Sequence, residues 1–438
     1  MAAEPIPAPP VTAPQAAVPE GAAQLTADRP ALQRGFLPLL AVGAIGGAVA
    51  LMTPALLTAS LKANAIDPAD GTTVLSVVTG AQGLFTLLAF PVLGRLSDRT
   101  RSALGRRRPY LLLGAAAILA GAVLMVLADS TALLTLAGLV TTLGTGAVVM
   151  AVTSVVADQL PPDRRGPASA IVSLSTGLGA LVGLGIGQLV HTSLTAQILL
   201  PAAVGAVGVL AMALTLREAP STGAEREPLD LRAAFGTFWV NPLRHPDFGL
   251  AWTSRLLVFC GVGALNAYQV FYLLMGLHVD GAAIAASVLA TVLVVNAVSL
   301  VLAPLAGKLS DRIGRRKPFV GVSAAVLALG LVLVTRVDSF GEYLLATAVV
   351  AVGQGIYFAV DLALVTQVLP DPDNPAKDIG IMNLANNLPT FIVSAAAPAL
   401  LALGASAENP KNFDALFLCG AAAALVGALL ILPIRKVR

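Results

Sequence analysis

Charged residues are scarce in this chain of 438 residues. Asp, Glu, Lys and Arg make up 12% of it, whereas hydrophobic residues make up 57%. A soluble globular protein has roughly 25% charged residues. Because so few charges cannot cover the water-exposed surface of a chain this long, the composition excludes a soluble globular protein and indicates that lipid surrounds most of the chain.

Cysteine and histidine are also rare, with two and three residues respectively. Cys260 and Cys419 fall inside apolar runs, so we expect buried packing thiols rather than a disulfide framework or a metal site. No cluster of His, Cys and carboxylates suggests a membrane-embedded enzyme, and no GxxxxGK[ST] motif suggests ATP binding. The sequence therefore predicts no enzyme, metal, cofactor or nucleic-acid partner.

Apolar runs long enough to cross a bilayer, about 20 residues each, occur twelve times. They lie near residues 36–61, 72–94, 109–128, 131–157, 167–190, 195–216, 248–274, 282–306, 318–336, 342–369, 379–404 and 413–434. Residues 1–35 are rich in Pro and Ala, which predicts a disordered tail. We predict an all-α polytopic membrane protein with six-helix bundles at 36–216 and 248–434, a central loop at 217–247 and a short C-terminus at 435–438.

Most basic residues lie on one side of this arrangement. Of the 27 Lys and Arg residues, only Lys62, Arg255, Arg336 and Lys411 lie outside the N-terminal tail, the loops after even-numbered spans and the C-terminus. Cytoplasmic loops of membrane proteins carry an excess of Lys and Arg. We therefore predict a multi-pass protein of the plasma membrane with both termini in the cytoplasm.

A six-residue pattern occurs twice, where the second and eighth spans end. GRLSDR at 94–99 returns as GKLSDR at 307–312, an offset of 213 residues. Phe36 and Phe248, where the first and seventh spans begin, are 212 residues apart. The two offsets agree, which indicates an internal repeat of the kind that many transporters use to build a central binding site.

Each copy of the pattern leads into a basic turn, GRRRP or GRRKP. Glycine allows two helices to approach closely, and Asp can accept hydrogen bonds from the N–H groups at a neighbouring helix start. A topological signal alone needs neither residue, so we predict a gating role as well. The candidate gate residues are Gly94, Asp98, Arg99, Gly105 and Arg106 in the first copy and Gly307, Asp311, Arg312, Gly314 and Arg315 in the second.

Both copies resemble the signature loop of the major facilitator superfamily, roughly G-x-L-x-D-R-x-G-R-R. The longer first loop resembles the sucrose-transporter-like and glycoside–pentoside–hexuronide branches. The resemblance implies two pseudo-symmetric six-helix bundles, a cavity lined by the first, fourth, seventh and tenth helices, and a sugar or glycoside substrate. It also implies that Asp98 and Arg99 latch the two halves on the cytoplasmic side, with Asp311 and Arg312 as the pseudo-symmetric latch and Asp378 on the helix that Asp98 approaches.

Two ionisable residues lie well inside predicted spans. Arg255 in the seventh span and Asp361 in the tenth are each roughly 12–13 Å from the cytoplasmic end, at 1.5 Å per residue. A charge near the bilayer centre costs several kcal/mol, so we predict that the two form a buried ion pair. Polar residues that share a helix face or a neighbouring stripe with this pair are Asn266, Gln269, Gln354, Tyr357, Asn383 and Asn387.

The pair suggests how a proton and a solute could be coupled. While Arg255 is near, Asp361 stays ionised; when the pair separates, the buried carboxylate takes up a proton. We therefore expect a secondary transporter for a small organic solute, driven by protons and functional as a monomer in the bilayer. The sequence leaves open a structural ion pair, a drug or metabolite exporter, and a solute sensor that does not transport.

Overall fold

The computed structural model describes residues 34–161, 164–218, 244–370, 375–406 and 410–434. These residues contain no strand and twelve helices that are long and apolar enough to cross a membrane, which confirms the predicted fold class. The helices are α1 Phe36–Ile66, α2 Gly71–Arg99, α3 Arg108–Leu127, α4 Thr131–Gln159, α5 Arg165–Leu189, α6 Leu194–Thr215, α7 Pro246–Gly276, α8 Gly281–Ile313, α9 Lys317–Val334, α10 Phe340–Val368, α11 Pro375–Ala402 and α12 Phe413–Leu430. Nearly all of the predicted tail at 1–35, most of the loop at 217–247 and the C-terminus at 435–438 lie outside the described residues.

The helix starts follow the local sequence in the same way in both halves. Ser130 and Ser339 precede α4 and α10, and each side chain accepts a hydrogen bond from a backbone N–H three residues on. Pro109 and Pro318 stand in the first turn of α3 and α9. Backbone N–H groups in a first turn have no intrahelical acceptor, so the N–H that proline lacks is not needed there. Equivalent helices therefore begin with equivalent caps.

The two halves also share a packing pattern. In the first half α1 packs against α5 and α6, α3 packs against α4 and α6, and α2 packs against α4. In the second half α7 packs against α11 and α12, α9 against α10 and α12, and α8 against α10. The halves meet where α2 packs against α11 and where α5 packs against α8. The pseudo-symmetry that relates the two halves also relates these two contacts.

Two glycines bring α5 into direct contact with α1. A Cβ added to Gly179 would clash with Ala48, and one added to Gly183 would clash with Thr53. Small residues at such positions let helix backbones approach closely inside a membrane protein. The glycines of α5 thus serve helix packing.

The cysteines differ from the prediction in part. Cys260 on α7 is buried, as expected, but Cys419 on α12 is exposed. The buried stripe of α12 runs through Leu416, Gly420 and Ala424, and Cys419 lies beside this stripe rather than within it. The expectation of a second buried thiol was therefore wrong.

Both motif-bearing helices run farther than their apolar runs predict. Helix α2 continues to Arg99 and α8 to Ile313, so Asp98 and Asp311 stand on final helical turns rather than in loops. Helix α8 ends where Gly314 adopts a φ of 67°, a left-handed conformation that glycine takes readily. We call the end of the bundle that carries the two motifs the motif end, and the opposite end the far end.

Side-chain hydrogen bonds join the two halves toward the far end. The Ser76 hydroxyl on α2 lies 2.7 Å from the Tyr268 hydroxyl on α7, and Tyr268 is fully buried. One turn farther along α2, the Thr79 hydroxyl lies 2.7 Å from that of Ser394 on α11. These contacts hold the far-end portions of the two halves together.

An ion pair at the surface of the far end also joins the halves. Lys411 Nζ lies 2.6 Å from Asp70 Oδ1, and Thr73 donates a second hydrogen bond to the same oxygen. Burial raises the pKa of Asp70, but the bonds from Lys411 and Thr73 outweigh burial and lower it below its ordinary value. The contribution of Asp70 to this closure is therefore fully present above about pH 4, the ordinary pKa of Asp, and is lost as the pH falls through the lowered pKa.

Candidate functional site

The structure brings Arg255 and Asp361 together between α7 and α10. Arg255 Nη1 lies 2.9 Å from Asp361 Oδ2, and the two side chains are 12% and 10% exposed. Tyr357, one turn before Asp361 on α10, is buried and forms a side-chain hydrogen bond to the carboxylate. The predicted pair thus exists as a direct contact, shielded from water on most of its surface.

A third helix contributes a residue that the sequence analysis missed. Arg255 Nε donates to Asn386 Oδ1 on α11 over 2.7 Å. Helical phase instead favoured Asn383 and Asn387, on a neighbouring stripe of α11. Three Asn residues within five positions were the available signal, but sequence alone does not say which of them faces α7.

One aromatic ring lies against the guanidinium, and two more pack on that ring. The Phe259 ring centroid lies 5.8 Å from Arg255 Cζ, within the range of a cation–π contact. Phe259 in turn packs against Tyr357 and Phe358 of α10, with centroids 6.0 and 5.8 Å apart. Phe358 is 48% exposed, so the described residues leave part of this aromatic cluster uncovered.

The remaining predicted polar residues lie apart from the ion pair's own contacts. Asn266 and Asn383 are exposed, and Gln354 is half-buried. Asn387 donates to the Asn383 backbone carbonyl of its own helix over 3.2 Å. Gln269 is buried, and its Nε2 has no hydrogen-bond partner among the described residues. The candidate site is therefore compact: α7, α10 and α11 supply its polar groups.

At the motif end, the hub of the first motif is Arg107 rather than Arg99 or Arg106. Arg107 donates to Asp98 Oδ1 over 2.9 Å, to Asp158 Oδ2 over 2.8 Å and to Ser97 Oγ over 2.6 Å. Burial lowers the pKa of Arg107, but its bonds with Asp158 and Asp98 outweigh burial and raise it. Arg106, its exposed neighbour, was the residue predicted from sequence.

The second motif repeats this geometry in weaker form. Arg316 Nη2 lies 3.8 Å from Asp311 Oδ1, and the Asp311 side chain is 74% exposed. Arg316 occupies the same place in GRRKP that Arg107 occupies in GRRRP. Again the structure pairs the aspartate with the second arginine of the turn, whereas the sequence analysis selected the first, Arg315.

Asp98 does not form the predicted latch between the halves in this conformation. Among the described residues its ion-pair partner is Arg107, which belongs to the same half, and its side chain is 66% exposed. No described heavy atom lies within 4 Å of a Cβ added to Gly94 or Gly307, so the expected close approach is absent at both glycines. The reason is geometric: α2 meets α11 toward the far end, where Gly83 packs directly on the Phe391 backbone.

The turn glycines have a clear structural role. Gly105 and Gly314 adopt φ values of 95° and 67°, which side chains other than glycine rarely take. Glu218, just after α6, accepts hydrogen bonds from the N–H groups of Arg107 and Arg108 at the start of α3. A Cβ on Gly105 would clash with Glu218, so this glycine also makes room for the capping carboxylate.

The sequence profile of the Major Facilitator Superfamily matches residues 36–301 and 277–438. The chain belongs to this superfamily. Membership indicates an integral, multi-pass membrane transporter rather than an enzyme, as predicted. It assigns neither a branch within the superfamily nor a substrate.

Individual relatives are distant. The chain is 32% identical over 85 residues to the uncharacterized MFS-type transporter YfiU of Bacillus subtilis (strain 168), a match that spans 19% of this chain and 16% of that protein.

Among solved structures, the nucleoside transporter NupG aligns with a TM-score of 0.72 and 13% identity, over 91% of this chain and 100% of that one. A D-xylose-proton symporter aligns with a TM-score of 0.69 and 13% identity, over 92% and 98%. The peptide transporter POT, in complex with sulfate, aligns with a TM-score of 0.70 and 17% identity, over 94% and 97%. At these identities the similarity establishes the fold alone.

Proposed function

We propose that this superfamily member is a proton-coupled secondary transporter that carries a small organic solute by alternating access. The observation that carries the proposal is the ion pair of Arg255 and Asp361, 2.9 Å apart within two membrane-spanning helices. Buried charges in membrane proteins are expensive and usually functional. A purely structural contact between α7 and α10 would be made more cheaply by apolar side chains.

Coupling follows from the charge balance of the pair. The Arg255 guanidinium, 2.9 Å away, favours the charged form of Asp361. If helix movements or a bound solute separate the two side chains, an isolated buried carboxylate is unfavourable, and protonation removes its charge. Solute binding and proton uptake are thereby linked at one place.

A sugar or glycoside is the solute that we propose within this class. The first motif loop resembles those of sugar-transporting branches, and a D-xylose-proton symporter and a nucleoside transporter are among the proteins of similar fold. We further propose that the motif end faces the cytoplasm. Cytoplasmic loops carry an excess of Lys and Arg, whereas the opposite side of this protein is assigned just three basic residues, Lys62, Arg336 and Lys411. The far-end contacts would then close the protein toward the outside.

The test of coupling is solute accumulation in vesicles under an imposed pH gradient. D-glucose, methyl β-D-glucoside and D-glucuronate serve as labelled probes, and we expect wild-type protein to accumulate at least one of these sugars or sugar derivatives in response to the gradient. Asp361→Asn should lose this response, because its amide cannot take up the proton, while exchange of labelled for unlabelled solute continues. A variant that follows the gradient as wild type does would refute the role given to Asp361.

The test of alternating access is a cross-link at the far end. Thr79→Cys with Ser394→Cys, in a background of Cys260→Ala and Cys419→Ala, should form a disulfide on oxidation, because the native hydroxyls are 2.7 Å apart. Opening of the far end requires these side chains to separate, so oxidation should abolish accumulation and a reductant should restore it. Full transport by completely cross-linked protein would contradict a moving far end, and each single-cysteine variant controls for oxidation elsewhere.

We also propose that the two motifs act as a gate at the motif end. Asp98 and Asp311 are 66% and 74% exposed, so both carboxylates are available for new partners when the motif end closes. The candidate gate residues predicted from sequence are retained in this proposal, with Arg107 and Arg316 added as the residues that hold each aspartate in the present conformation.

A further inference from the structure

We infer that the solute is an organic monocarboxylate, bound through the free N–H groups of Arg255 and carried together with one proton on Asp361. This inference rests on the proposed proton coupling and names the chemical class of the solute for that same site. It adds a requirement that neither the fold nor the motif loops impose: the solute carries a negative charge.

The guanidinium of Arg255 has unused donors. Of its five N–H groups, one on Nε bonds to Asn386 and one on Nη1 bonds to Asp361. Among the described residues Nη2 has no hydrogen-bond partner, and 12% of the side chain is exposed. A guanidinium nitrogen without a partner, on a side chain already held by two other contacts, suits a carboxylate oxygen of a bound solute.

Charge balance selects an anion over a neutral solute. In the present state Arg255 and Asp361 neutralise each other, and among the described residues the ionisable groups that interact with Asp361 are Arg255 of α7 and Tyr357 of its own helix. Protonating Asp361 leaves the charge of Arg255 without a partner inside the membrane, which is strongly unfavourable. A carboxylate on Arg255 restores neutrality, so the loaded site would hold one cation, one anion and one protonated acid.

The surroundings of Arg255 suit a solute with a ring or another apolar part beside its carboxylate. Phe259 lies against the guanidinium, and Phe358, which contacts Phe259, is 48% exposed. A flat or ring-shaped group can pack on such an aromatic face at low entropic cost. Sugar acids and aryl-substituted carboxylates both meet this description.

The experiment compares probes that differ in charge. Thermal stability of purified protein is measured with hippurate against hippuramide, its neutral amide, and with D-glucuronate against D-glucose. We expect at least one of the two acids to raise Tm, and its neutral counterpart to bind about tenfold more weakly or worse, as loss of a charge-assisted contact implies. Arg255→Gln with Asp361→Asn removes both charges and keeps a polar side chain at each position, with Asn matching Asp in size and Gln shorter than Arg, so this double variant should fold yet show no preference for the acid.

Two results would overturn the inference. The first is a neutral probe that stabilises the protein as much as its acid does; the second is no stabilisation by either acid. Vesicle accumulation then separates this inference from the proposed function. Acid-selective binding without any response to a pH gradient would refute proton coupling but not the binding of an acid at Arg255. Gradient-driven accumulation of neutral sugars, without accumulation of the acids, would refute the monocarboxylate and leave the coupling intact.

Discussion

Arg255→Ala is expected to destabilise the protein by about 3–5 kcal/mol and to abolish solute accumulation, because Asp361 is left buried without a counter-ion, and both the lone charge and the proton uptake that would neutralise it cost free energy. The Asp361 side chain is 10% exposed, so water cannot replace the lost partner well. The loss should appear as a lower midpoint of thermal unfolding in detergent. It should exceed the loss for Asp361→Asn, since the longer arginine side chain can reach toward the membrane surface more readily.

The matched control removes both charges. Arg255→Gln with Asp361→Asn should recover most of the lost stability, since an uncharged polar pair carries no isolated charge, yet accumulation should stay absent. Stability and transport would then separate, which a purely structural ion pair does not predict. If the double variant regained accumulation along with stability, the pair would be no more than a packing contact.

Arg107→Ala should give the second largest effect, a loss of about 2 kcal/mol in stability. It removes three hydrogen bonds from a side chain that is 5% exposed, and bonds to charged partners contribute about 1.5–3 kcal/mol each. The net effect is kept down because Asp98 and Asp158 are 66% and 45% exposed, and water can solvate both carboxylates once the guanidinium has gone.

The chain supplies two controls for this prediction. Arg106→Ala, at the exposed neighbouring position, should change the unfolding midpoint little. Arg316→Ala, at the equivalent place in the second half, should have an intermediate effect because its distance to Asp311 is 3.8 Å. Equal losses at Arg106 and Arg107 would show that total loop charge, rather than the geometry around Arg107, stabilises the motif end.

Much of the fold was predictable because the bilayer imposes it. Long apolar runs must become helices in lipid, and the repeat of LSDR gave the two halves. The helix ends were less predictable: α2 and α8 run on to Arg99 and Ile313, since polar residues can extend a helix beyond the lipid. Hydropathy measures where apolar residues stop, not where helical hydrogen bonding stops.

The candidate site divides in a similar way. Depth and opposite sign were enough to pair Arg255 with Asp361, because each charge is unfavourable alone. The choice of Asn386 over Asn383 and Asn387, and of Arg107 over Arg106, depends on how helices are rotated about their axes. Neighbouring residues of identical type give sequence analysis nothing with which to distinguish them.

Proton movement on Asp361 is most directly measured as the pH change in a weakly buffered medium when D-glucuronate is added to vesicles that contain the protein. The proposed site predicts that wild-type protein makes the medium more alkaline as proton and solute enter together. Asp361→Asn should give no pH change while still exchanging labelled for unlabelled D-glucuronate. An equal pH change with the variant would contradict the proposal that this carboxylate carries the proton.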